Sequence, residues 1–590
     1  MDYIQLTELY QKLESTSKRL EKTKILSEFL KDCPKKDIDR IMLLVQGLVF
    51  PKSDERKLGI ASKLIVKALN VATGITVEEI EKSWKKTGDL GLTSEELIKK
   101  KKQHTLFSEE LTVEKVFKNI QKLSTIEGIG STDVKLKTIA ELLTSAKPTE
   151  SRYIIRTLLE DLRVGLGEST LRDAIAIAYY ERHGKTVDLE SKDPSFGAGG
   201  ELTKIRDAIQ EAYDITNDYA IIAQMIIDDD IEILTDLKLD TEKPVKVMLA
   251  QKAKSVAEAF EMVGRPAAIE YKYDGFRMLI GKHGDKITIH TRRLENVTTQ
   301  FPEVAKLIKE NITTESCIID GEAVGYDPKT KKYVPFQEIS QRIRRKYDIE
   351  QMAKDVPVEL NIFDILYYNG ESTIKQTFVE RRKLIEKIIK EKPSHIRLAV
   401  QIITDNDDEA EKFYRQSLDA GNEGVMFKSL ETPYKPGSRV GSMVKLKPIM
   451  ETLDVVIVGA EWGEGKRAGW LTSFTVAVYD EDTDEYLEIG KFGTGIKEKK
   501  GDEDVDNENI VSFEELTEAL KPNIVREKGR EVIIKPNIVV ELKFEEIQKS
   551  PSYSSGYALR FPRLVRIRLD RSPDAASTLR QVEGFFKEQY

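Results

Sequence analysis

Apolar side chains in the first part of the chain recur at the spacing of one helix face. The two clearest sets are Leu6, Leu9, Tyr10 and Leu13, and Ile154, Leu158, Leu159 and Leu162. Side chains three and four positions apart lie on the same side of a helix, so such sets form a stripe that can face a core. We therefore predict a helical domain over residues 1–235.

The pattern changes near residue 243, where short β-rich segments alternate with helical ones. Two of the β-rich segments are I-T-I at 287–289, which follows an H-G-D turn, and I-I at 318–319, which precedes D-G. Helical spacing is seen over 378–391 and 409–419. Strands mixed with helices in this way predict an α+β domain over residues 236–449.

Strict alternation of apolar and polar residues dominates the last part of the chain. Val540, Leu542 and Phe544 alternate with charged residues, and so do Val565, Ile567 and Leu569. This period of two is typical of half-buried strands. Five or so short strands over residues 450–590 predict an all-β domain of the OB-fold type, a small Greek-key barrel.

Composition narrows the class of protein without choosing a function. The 590 residues are 40% hydrophobic and 33% charged, which excludes a disordered or fibrous chain. The 101 acidic and 93 basic residues nearly cancel, giving a net charge of −8 that neither supports nor excludes nucleic-acid binding. Two cysteines are too few for a four-cysteine zinc module and favour an intracellular setting. We see no signal peptide and no apolar run long enough to span a membrane.

The sharpest local motif is E-Y-K-Y-D-G-F-R at residues 270–277. Taken alone, K-x-D-G is also typical of a strand that ends in a turn. Its significance comes from the motifs that follow in order: D-G-E at 320–322, F-D at 363–364, E-G-V-M-F-K at 423–428 and K-L-K at 445–447. Each motif alone has an ordinary structural explanation, such as a core phenylalanine or a surface ion pair.

The order and spacing of these motifs resemble those of the ATP-dependent DNA ligases, most closely the archaeal replicative type. The resemblance extends to T-R-R-L-E-N at 291–296, E-I-Q-K-S-P at 546–551 and G-Y-A-L-R-F-P-R at 556–563. It covers essentially the whole chain and implies three domains: helical DNA-binding, adenylation and OB-fold. It departs from the family at Arg571, where lysine is commoner, and at Met443, where tryptophan is frequent.

The resemblance implies that Lys272 attacks the α-phosphate of ATP and holds AMP as a phosphoramidate. AMP would then pass to the 5′-phosphate of a nick, and the 3′-hydroxyl would displace it to seal nicked duplex DNA. A lysine nucleophile must be deprotonated, although its reference pKa is about 10.4. Neighbouring cations lower such a pKa and stabilise phosphate charge, and we expect Arg277, Lys445 and Lys447 to supply them.

The resemblance assigns further roles around the nucleotide. Glu270 would contact adenine through its main chain, and Phe363 would stack on the adenine ring. Arg292 would engage a phosphate, and Arg439 would be a further nucleotide contact. Glu322 would contact the ribose or a metal, and Glu423 would bind Mg²⁺ directly or through water, with Mn²⁺ as a possible substitute.

A dense run of arginines lies near the C-terminus. The resemblance implies that this segment closes over the β- and γ-phosphates during adenylation and then swings away. The residues concerned are Arg560, Arg563, Arg568, Asp570 and Arg571. From the residues alone, the run could equally be a solvated strand face.

Two segments of the helical region resemble contact sites of the family. D-L-R-V-G-L-G at 161–167 is similar to a minor-groove DNA contact, with Arg163, Gly165 and Gly167 as the contacting residues, although its glycines also suit a helix–helix turn. Gln103, Leu106 and Phe107 follow a lysine run and resemble a binding motif for a PCNA-type sliding clamp, although the run also suits a solvated linker.

Three alternatives to a DNA ligase each conflict with a feature of the sequence. An RNA ligase or an mRNA-capping guanylyltransferase lacks the long helical region and the 550–563 signature. An NAD-dependent ligase needs a zinc module whose cysteines this chain lacks. A non-catalytic DNA- or clamp-binding scaffold has no use for the lysine and carboxylate set. The resemblance further implies a monomer that acts in replication, repair and recombination, in the cytoplasm at the nucleoid and away from membranes.

Overall fold

The computed structural model describes the whole chain except residues 53, 55, 102–109, 129, 186, 188–199, 228–229, 331, 335, 344–348, 438, 449–451, 500–510 and 589–590. The chain forms two compact units. The first consists of Met1–Gly74 and Ile98–Pro448, and the second of Ile75–Leu97 and Ile449–Tyr590. A stretch from the helical region of the sequence therefore belongs to the same unit as the C-terminal β-rich part. In the described part of the chain, no helix combines the length and the apolar character that crossing a membrane requires.

The described residues up to 236 are mainly helical, as the apolar spacing predicts. The helices are α1 (Tyr3–Glu14), α2 (Arg19–Lys31), α3 (Lys35–Leu44), α4 (Ser62–Thr73), α5 (Val77–Thr87), α6 (Leu90–Lys99), α7 (Val113–Leu123), α8 (Ser131–Ser145), α9 (Pro148–Leu158), α10 (Glu168–Arg182), α11 (Glu201–Thr216), α12 (Tyr219–Ile226) and a 3₁₀ helix (Ile231–Asp236). α7 shows how the sequence sets a helix. The Thr112 side chain accepts the N–H of Lys115, which caps the first turn. The stripe from Val113 to Leu123 is buried.

One predicted helical pattern extends too far. Ile154 and Leu158 are buried in α9, but the helix ends at Leu158. Leu162 is buried in the connection to α10, not on a helix face. Glu160 and Arg163 adopt positive φ values of 55° and 63°, which end helical geometry at this point.

Residues 249–446 form the predicted α+β domain. Its elements are β1 (Leu249–Ala253), α13 (Val256–Val263), β2 (Ala267–Lys272), β3 (Phe276–His283), β4 (Lys286–Thr291), α14 (Pro302–Asn311), β5 (Ser316–Gly325), α15 (Phe336–Ile343), α16 (Ile349–Asp355), β6 (Val358–Tyr368), β7 (Glu371–Ser372), α17 (Phe378–Ile388), β8 (Ile396–Leu398), β9 (Gln401–Thr404), α18 (Asp407–Asp419), β10 (Gly424–Ser429) and β11 (Arg439–Leu446), with a 3₁₀ turn at Thr298–Gln300.

These strands make two sheets, and the chain passes between them directly after β2. One sheet has the order β1-β11-β10-β2-β9, and the other has the order β4-β3-β5-β6-β7 with β8 beside β6. The first sheet packs its apolar side on α13 and α18 through residues such as Phe260, Phe413 and Phe427. The turn from β2 to β3 therefore joins the two sheets, and the D-G of the lysine motif forms it.

The C-terminal part is β-rich, with more strands than the sequence pattern predicts. The elements are β12 (Thr452–Trp462), β13 (Leu471–Asp480), β14 (Glu485–Phe492), α19 (Phe513–Leu520), β15 (Ile524–Lys528), β16 (Glu531–Ile534), β17 (Val539–Lys543), β18 (Glu546–Lys549), β19 (Tyr557–Arg560), β20 (Arg563–Ile567) and α20 (Leu579–Glu588), with 3₁₀ turns at Gly465–Arg467, Lys521–Asn523 and Pro573–Ala575. The expectation of about five strands is wrong because short hairpins such as β15–β16 and β18–β19 carry little alternation. β12 pairs with β13, β16 and β17 and is the central strand.

Candidate active site

Strand pairing brings Lys272 and Glu423 together. Lys272 is the last residue of β2 and lies opposite Gly424, the first residue of β10, in an antiparallel pair. Just before this pair, the Glu423 N–H donates to the Lys272 carbonyl at 2.8 Å. The backbone thus places a carboxylate beside the lysine although 151 residues separate the two in sequence.

Glu423 binds two lysine side chains with one oxygen. The ammonium groups of Lys272 and Lys447 both contact Glu423 Oε2, the latter at 2.5 Å. Burial alone raises the pKa of the Glu423 carboxyl, but the two ammonium groups outweigh burial and hold it at about 2. Glu423 is therefore ionised at any physiological pH. It neutralises part of the positive charge of Lys272 and Lys447, the second of which we expected to stabilise phosphate charge.

Glu322 is a second carboxylate in the electrostatic field of Lys272. It lies on β5, opposite Arg277 of β3. Burial raises the pKa of Glu322 to about 8, although the positive charges of Lys272 and Arg277 oppose the rise. Gly275 in the turn lies so close that a Cβ added there would be 2.7 Å from Glu322 Cγ. Glycine is thus needed for the turn to approach this carboxylate.

Arg277 is bound to an acid that sequence reasoning did not single out. Its guanidinium donates to both oxygens of Asp320, at 3.0 and 2.6 Å, and to the Met248 carbonyl at 3.1 Å. Asp320 is fully buried, and a buried carboxylate requires such a partner. The D-G-E motif could have identified Asp320, because this residue precedes Glu322 by two positions and lies on the same face of β5.

Phe363 lies at an irregularity in its strand. Between β5 and β6, Asp364 pairs with Asp320 and Ile362 with Gly321, so Phe363 is an extra residue without a partner. A bulge of this kind redirects a side chain and is common beside active sites. The Phe363 ring is half-buried, and the Lys428 ammonium lies 4.7 Å from its centroid.

The Glu270 side chain is occupied within the protein. Its carboxylate is buried and contacts the Lys428 ammonium at 2.5 Å and the Gln401 amide at 2.8 Å. Glu270 and Lys272 lie two residues apart on β2 and so face the same side of the sheet. This arrangement is compatible with the predicted main-chain contact of Glu270. Sequence reasoning missed Lys428, although it stands in the motif at 423–428.

The remaining predicted nucleotide residues are placed by the backbone. Lys445 on β11 lies opposite Met426 of β10. The strand β10 in turn pairs with β2, which carries Glu270 and Lys272. Arg439 begins β11, and Arg292 is exposed directly after the end of β4. Met443, which replaces the family's frequent tryptophan, is buried in a small apolar cluster.

Most of the predicted closure residues are paired with each other or with further acids of their own unit. Arg568 contacts Asp454 and Asp570, both at 2.8 Å, and Arg571 contacts Asp454 at 3.0 Å. Arg560 contacts Glu546 at 2.8 Å, and Arg563 is exposed. Asp454 and Glu546 were not predicted. Phe561 was quoted only as part of a signature, yet its ring is 68% exposed on a backbone of positive φ.

One of the two predicted contact segments of the helical region, residues 161–167, is described by the structure. Arg163 and Gly165 both have positive φ in the connection between α9 and α10, and Gly167 caps α10. Arg163 Nε donates to Asp161 at 2.6 Å. The predicted clamp residues Gln103, Leu106 and Phe107 lie outside the described residues.

Glu322 and Glu423 are the carboxylates of this site that could serve as metal ligands. In the described ranges, no group of three or more His, Cys, Asp and Glu side chains converges as a metal site. Mg²⁺ is commonly held by one or two carboxylates together with substrate phosphates and waters. Burial raises the pKa of the Glu322 carboxyl to about 8, and a cation bound beside it would favour its ionised form.

Three family profiles match the chain in order. They are described as DNA ligase N terminus over residues 2–176, ATP dependent DNA ligase domain over 247–447 and ATP dependent DNA ligase C terminal region over 467–571. The middle profile includes Lys272 and both carboxylates described above. The chain belongs to the ATP-dependent DNA ligases.

Relatives that match over their full length specify the type of DNA ligase and its reaction. The DNA ligase of Nanoarchaeum equitans is 48% identical over 589 residues, covering 100% of this chain and 99% of the relative. The DNA ligase of Thermococcus fumicolans is 42% identical, covering 99% and 98%. The chain is accordingly of the archaeal type, and its reaction is the ATP-dependent sealing of nicks in DNA through a lysine–AMP intermediate.

A solved structure described as Pmar-Lig_PreS3 shows the same fold. It is 19% identical, has a TM-score of 0.55 and covers 95% of this chain and 99% of its own. At this identity the likeness shows the architecture alone. The helical, α+β and β-rich parts predicted from the sequence are confirmed.

Proposed function

We propose that Lys272 is the residue that carries AMP. The observation that supports this is the convergence of Lys272 and Lys447 on Glu423, with Glu322 beside them. The Lys272 nitrogen, once deprotonated, forms a bond to the α-phosphorus of ATP. The bond from that phosphorus to the oxygen bridging the α- and β-phosphates breaks, and pyrophosphate leaves with the electron pair.

Glu423 holds the lysine in place before this step and does not take its proton. A carboxyl with a pKa of about 2 is a weak base, so its contribution is to position the side chain. Incoming phosphates compete with Glu423 for the ammonium group of Lys447. When that ion pair opens, Lys447 is available to stabilise negative charge on the α-phosphate.

Phe363 and Glu270 are proposed to bind the adenine. The bulge turns Phe363 out of the sheet pattern, and its half-exposed ring offers a stacking surface. Glu270 lies on the same face of β2 as Lys272, so its backbone can contact a base whose phosphate reaches the lysine. Arg292, Arg439 and Lys445 are proposed as contacts to the nucleotide or to the 5′-phosphate of the nick.

Glu322 and Glu423 are proposed to hold Mg²⁺ together with the phosphates of ATP. Their oxygens are the ligands that this hard cation prefers, and Mn²⁺ accepts the same ligands. When bound, the ion would neutralise phosphate charge as it develops. Glu322 would then gain the positive charge that its protein surroundings do not supply.

The C-terminal arginines are proposed to act on the leaving pyrophosphate. Arg568 and Arg571 must first release Asp454, with which both are paired. The segment 161–167 is proposed to contact the DNA backbone, and residues 103–107 to bind a PCNA-type clamp. We further propose that the protein acts as a monomer.

One experiment tests the formation of lysyl-AMP separately from the joining of the nick. Protein incubated with α-labelled ATP and Mg²⁺ is denatured and examined for bound label, and Lys272→Ala is compared with the parent. We expect label on the parent, none on the variant, and joining of a nick that already carries AMP on its 5′-phosphate by both. Label that persists on Lys272→Ala would contradict the proposal.

A further inference from the structure

The connection between α9 and α10 exposes its backbone. Gly165 and Gly167 are exposed, whereas Leu162 and Val164 on either side of Arg163 are buried. The backbone of Gly165 has φ +65°, a conformation that residues other than glycine rarely adopt. The apolar residues thus anchor the segment and leave the glycine backbone at the surface.

A buried lysine from another helix holds this backbone from beneath. Lys22 of α2 is only 7% exposed, and its ammonium donates to the carbonyls of Val164 and Gly165, the latter at 3.1 Å. Arg156, also buried, reaches the Leu162 carbonyl at 3.5 Å. Two buried cations thus bind three carbonyl oxygens of one exposed segment.

Peptide geometry fixes what the outer side of the segment presents. In a trans peptide the C=O and the following N–H point in opposite directions. Because the carbonyls of Val164 and Gly165 point towards Lys22, the N–H groups of Gly165 and Leu166 point away from it. Among the described residues, neither N–H group donates to a backbone carbonyl. Successive N–H groups in a turn can bind an anion.

We propose that Lys22 is a positioning residue for DNA binding, which aims the N–H groups of Gly165 and Leu166 at backbone phosphates of the nicked duplex. The proposal rests on the proposed DNA contact of the 161–167 segment. Lys22 itself does not reach the phosphates, because its ammonium is buried under the carbonyls. Its contribution is to hold the donors in place before DNA arrives.

The space around Gly165 is a second observation that links this glycine to Lys22. A Cβ added at this position would lie 2.7 Å from Lys22 Nζ, and no other described atom would be within 4 Å. The glycine therefore leaves room for the ammonium and also supplies the positive φ. Gly165→Ala should displace the ammonium and reproduce the effect of removing it.

The experiment measures the Kd for a nicked duplex over a range of salt concentrations. Lys22→Met keeps the volume and removes the donors, and we expect Kd to rise about tenfold, the effect of losing a hydrogen bond to a charged group. Lys22→Arg restores donors and should recover most of the affinity. The slope of log Kd against log salt should not change for Lys22→Met, because no phosphate-neutralising cation is lost.

Two controls distinguish the proposal from general destabilisation. Lys282 is equally buried at 7% and donates to the Thr314 carbonyl, within the adenylation domain. Lys282→Met should lower the melting temperature similarly but leave the Kd for the nick unchanged. Formation of lysyl-AMP by Lys22→Met should stay within about twofold of the parent, since Lys22 lies in the helical region.

The outcomes also separate the proposal from the function on which it rests. Arg163→Gln should weaken binding and lower the salt slope by about one if this segment contacts phosphates. If Arg163→Gln changes binding and Lys22→Met does not, the positioning role is wrong. If neither changes it, the DNA contact of the segment is wrong. A reduced salt slope for Lys22→Met would show that Lys22 binds phosphate directly, which also overturns the proposal.

Discussion

Lys272 is half-buried and Lys22 is buried, and the two ammonium groups bind different kinds of partner. The Lys272 ammonium binds the Glu423 carboxylate, which also binds Lys447. The Lys22 ammonium binds backbone carbonyls of the α9–α10 connection. A carboxylate carries a full charge, so another anion can compete with it for the ammonium group. Carbonyls carry only dipoles, and the fold sets their position.

The difference indicates how each lysine acts. An ion pair in the proposed ATP site can open when phosphate charges arrive, which suits the reactive role proposed for Lys272. A lysine bound to carbonyls fixes the backbone around it, which suits a residue that orients other groups. The following changes test this difference between the two lysines and the proposed adenine surface beside Lys272.

The largest effect is expected from Glu423→Gln. The substitution keeps the shape but removes the charge that holds Lys272 and Lys447, and it weakens the proposed metal site. We expect lysyl-AMP formation to slow roughly 100-fold, the usual consequence of removing one electrostatic group from an active site. A single-turnover assay with labelled ATP measures it. An unchanged rate would show that the ion pair is incidental.

Gly275→Ala tests the approach of the lysine turn to Glu322. A methyl group there would lie 2.7 Å from Glu322 Cγ and from the Ala323 carbonyl. We expect lysyl-AMP formation to slow about 10- to 100-fold, because small displacements of reacting groups reduce rates strongly. Gly165→Ala is the matched change beside Lys22 and should weaken nick binding instead. Equal effects of both variants on both steps would remove the distinction between the regions.

Phe363→Leu tests the proposed adenine surface. Leucine keeps an apolar side chain at the bulge but offers no aromatic face for stacking. We expect the KM for ATP to rise about tenfold, in keeping with the strength of aromatic stacking. Joining of a pre-adenylated nick should change less than about threefold, since that step needs no ATP. Comparison of the two steady-state assays gives the result.

The smallest effect concerns stability and pH. The pKa of Glu423 is lowered in the folded protein to about 2, so its ion pairs stabilise the fold above its ordinary pKa of 4.5. That contribution is lost as pH falls from 4.5 towards 2. Glu423→Gln should therefore melt about 2–4 °C below the parent at pH 7, a deficit that shrinks below pH 4.5.

The matched measurement uses Lys22→Met. The carbonyls of Val164 and Gly165, which bind the Lys22 ammonium, do not titrate, so we expect the melting deficit of Lys22→Met to be the same at pH 7 and pH 3. Scanning calorimetry of both variants supplies the comparison. A deficit for Lys22→Met that disappears in acid would mean that a carboxylate, not the carbonyls, stabilises Lys22.

Much of the fold could be predicted because periodicity is local. The stripe at Leu6 to Leu13 and the β4 segment at 287–289 follow directly from residue spacing. The short hairpins of the C-terminal part could not be predicted, because strands such as Glu531–Ile534 are too brief to show alternation. The end of α9 was missed because Leu162 continues the apolar pattern after the helix has ended.

The sequence identifies candidate residues for the site but not the contacts between them. Ordered motifs identify Lys272, Glu322 and Glu423 as candidates. Their pairing depends on strand register and on a bulge at Phe363, which involve residues far apart in sequence. Lys22 could not be found from any motif, because only the fold brings α2 beneath the carbonyls of residues 164 and 165.

Mapping AMP on the protein tests the central claim most directly. Protein incubated with ATP and Mg²⁺ without DNA is digested under neutral conditions, and the peptides are sequenced by mass spectrometry. We predict one AMP, on Lys272 in the peptide that spans residues 270–277, and no AMP on any peptide of Lys272→Arg. AMP on a different lysine, or on the Lys272→Arg protein, would contradict the account.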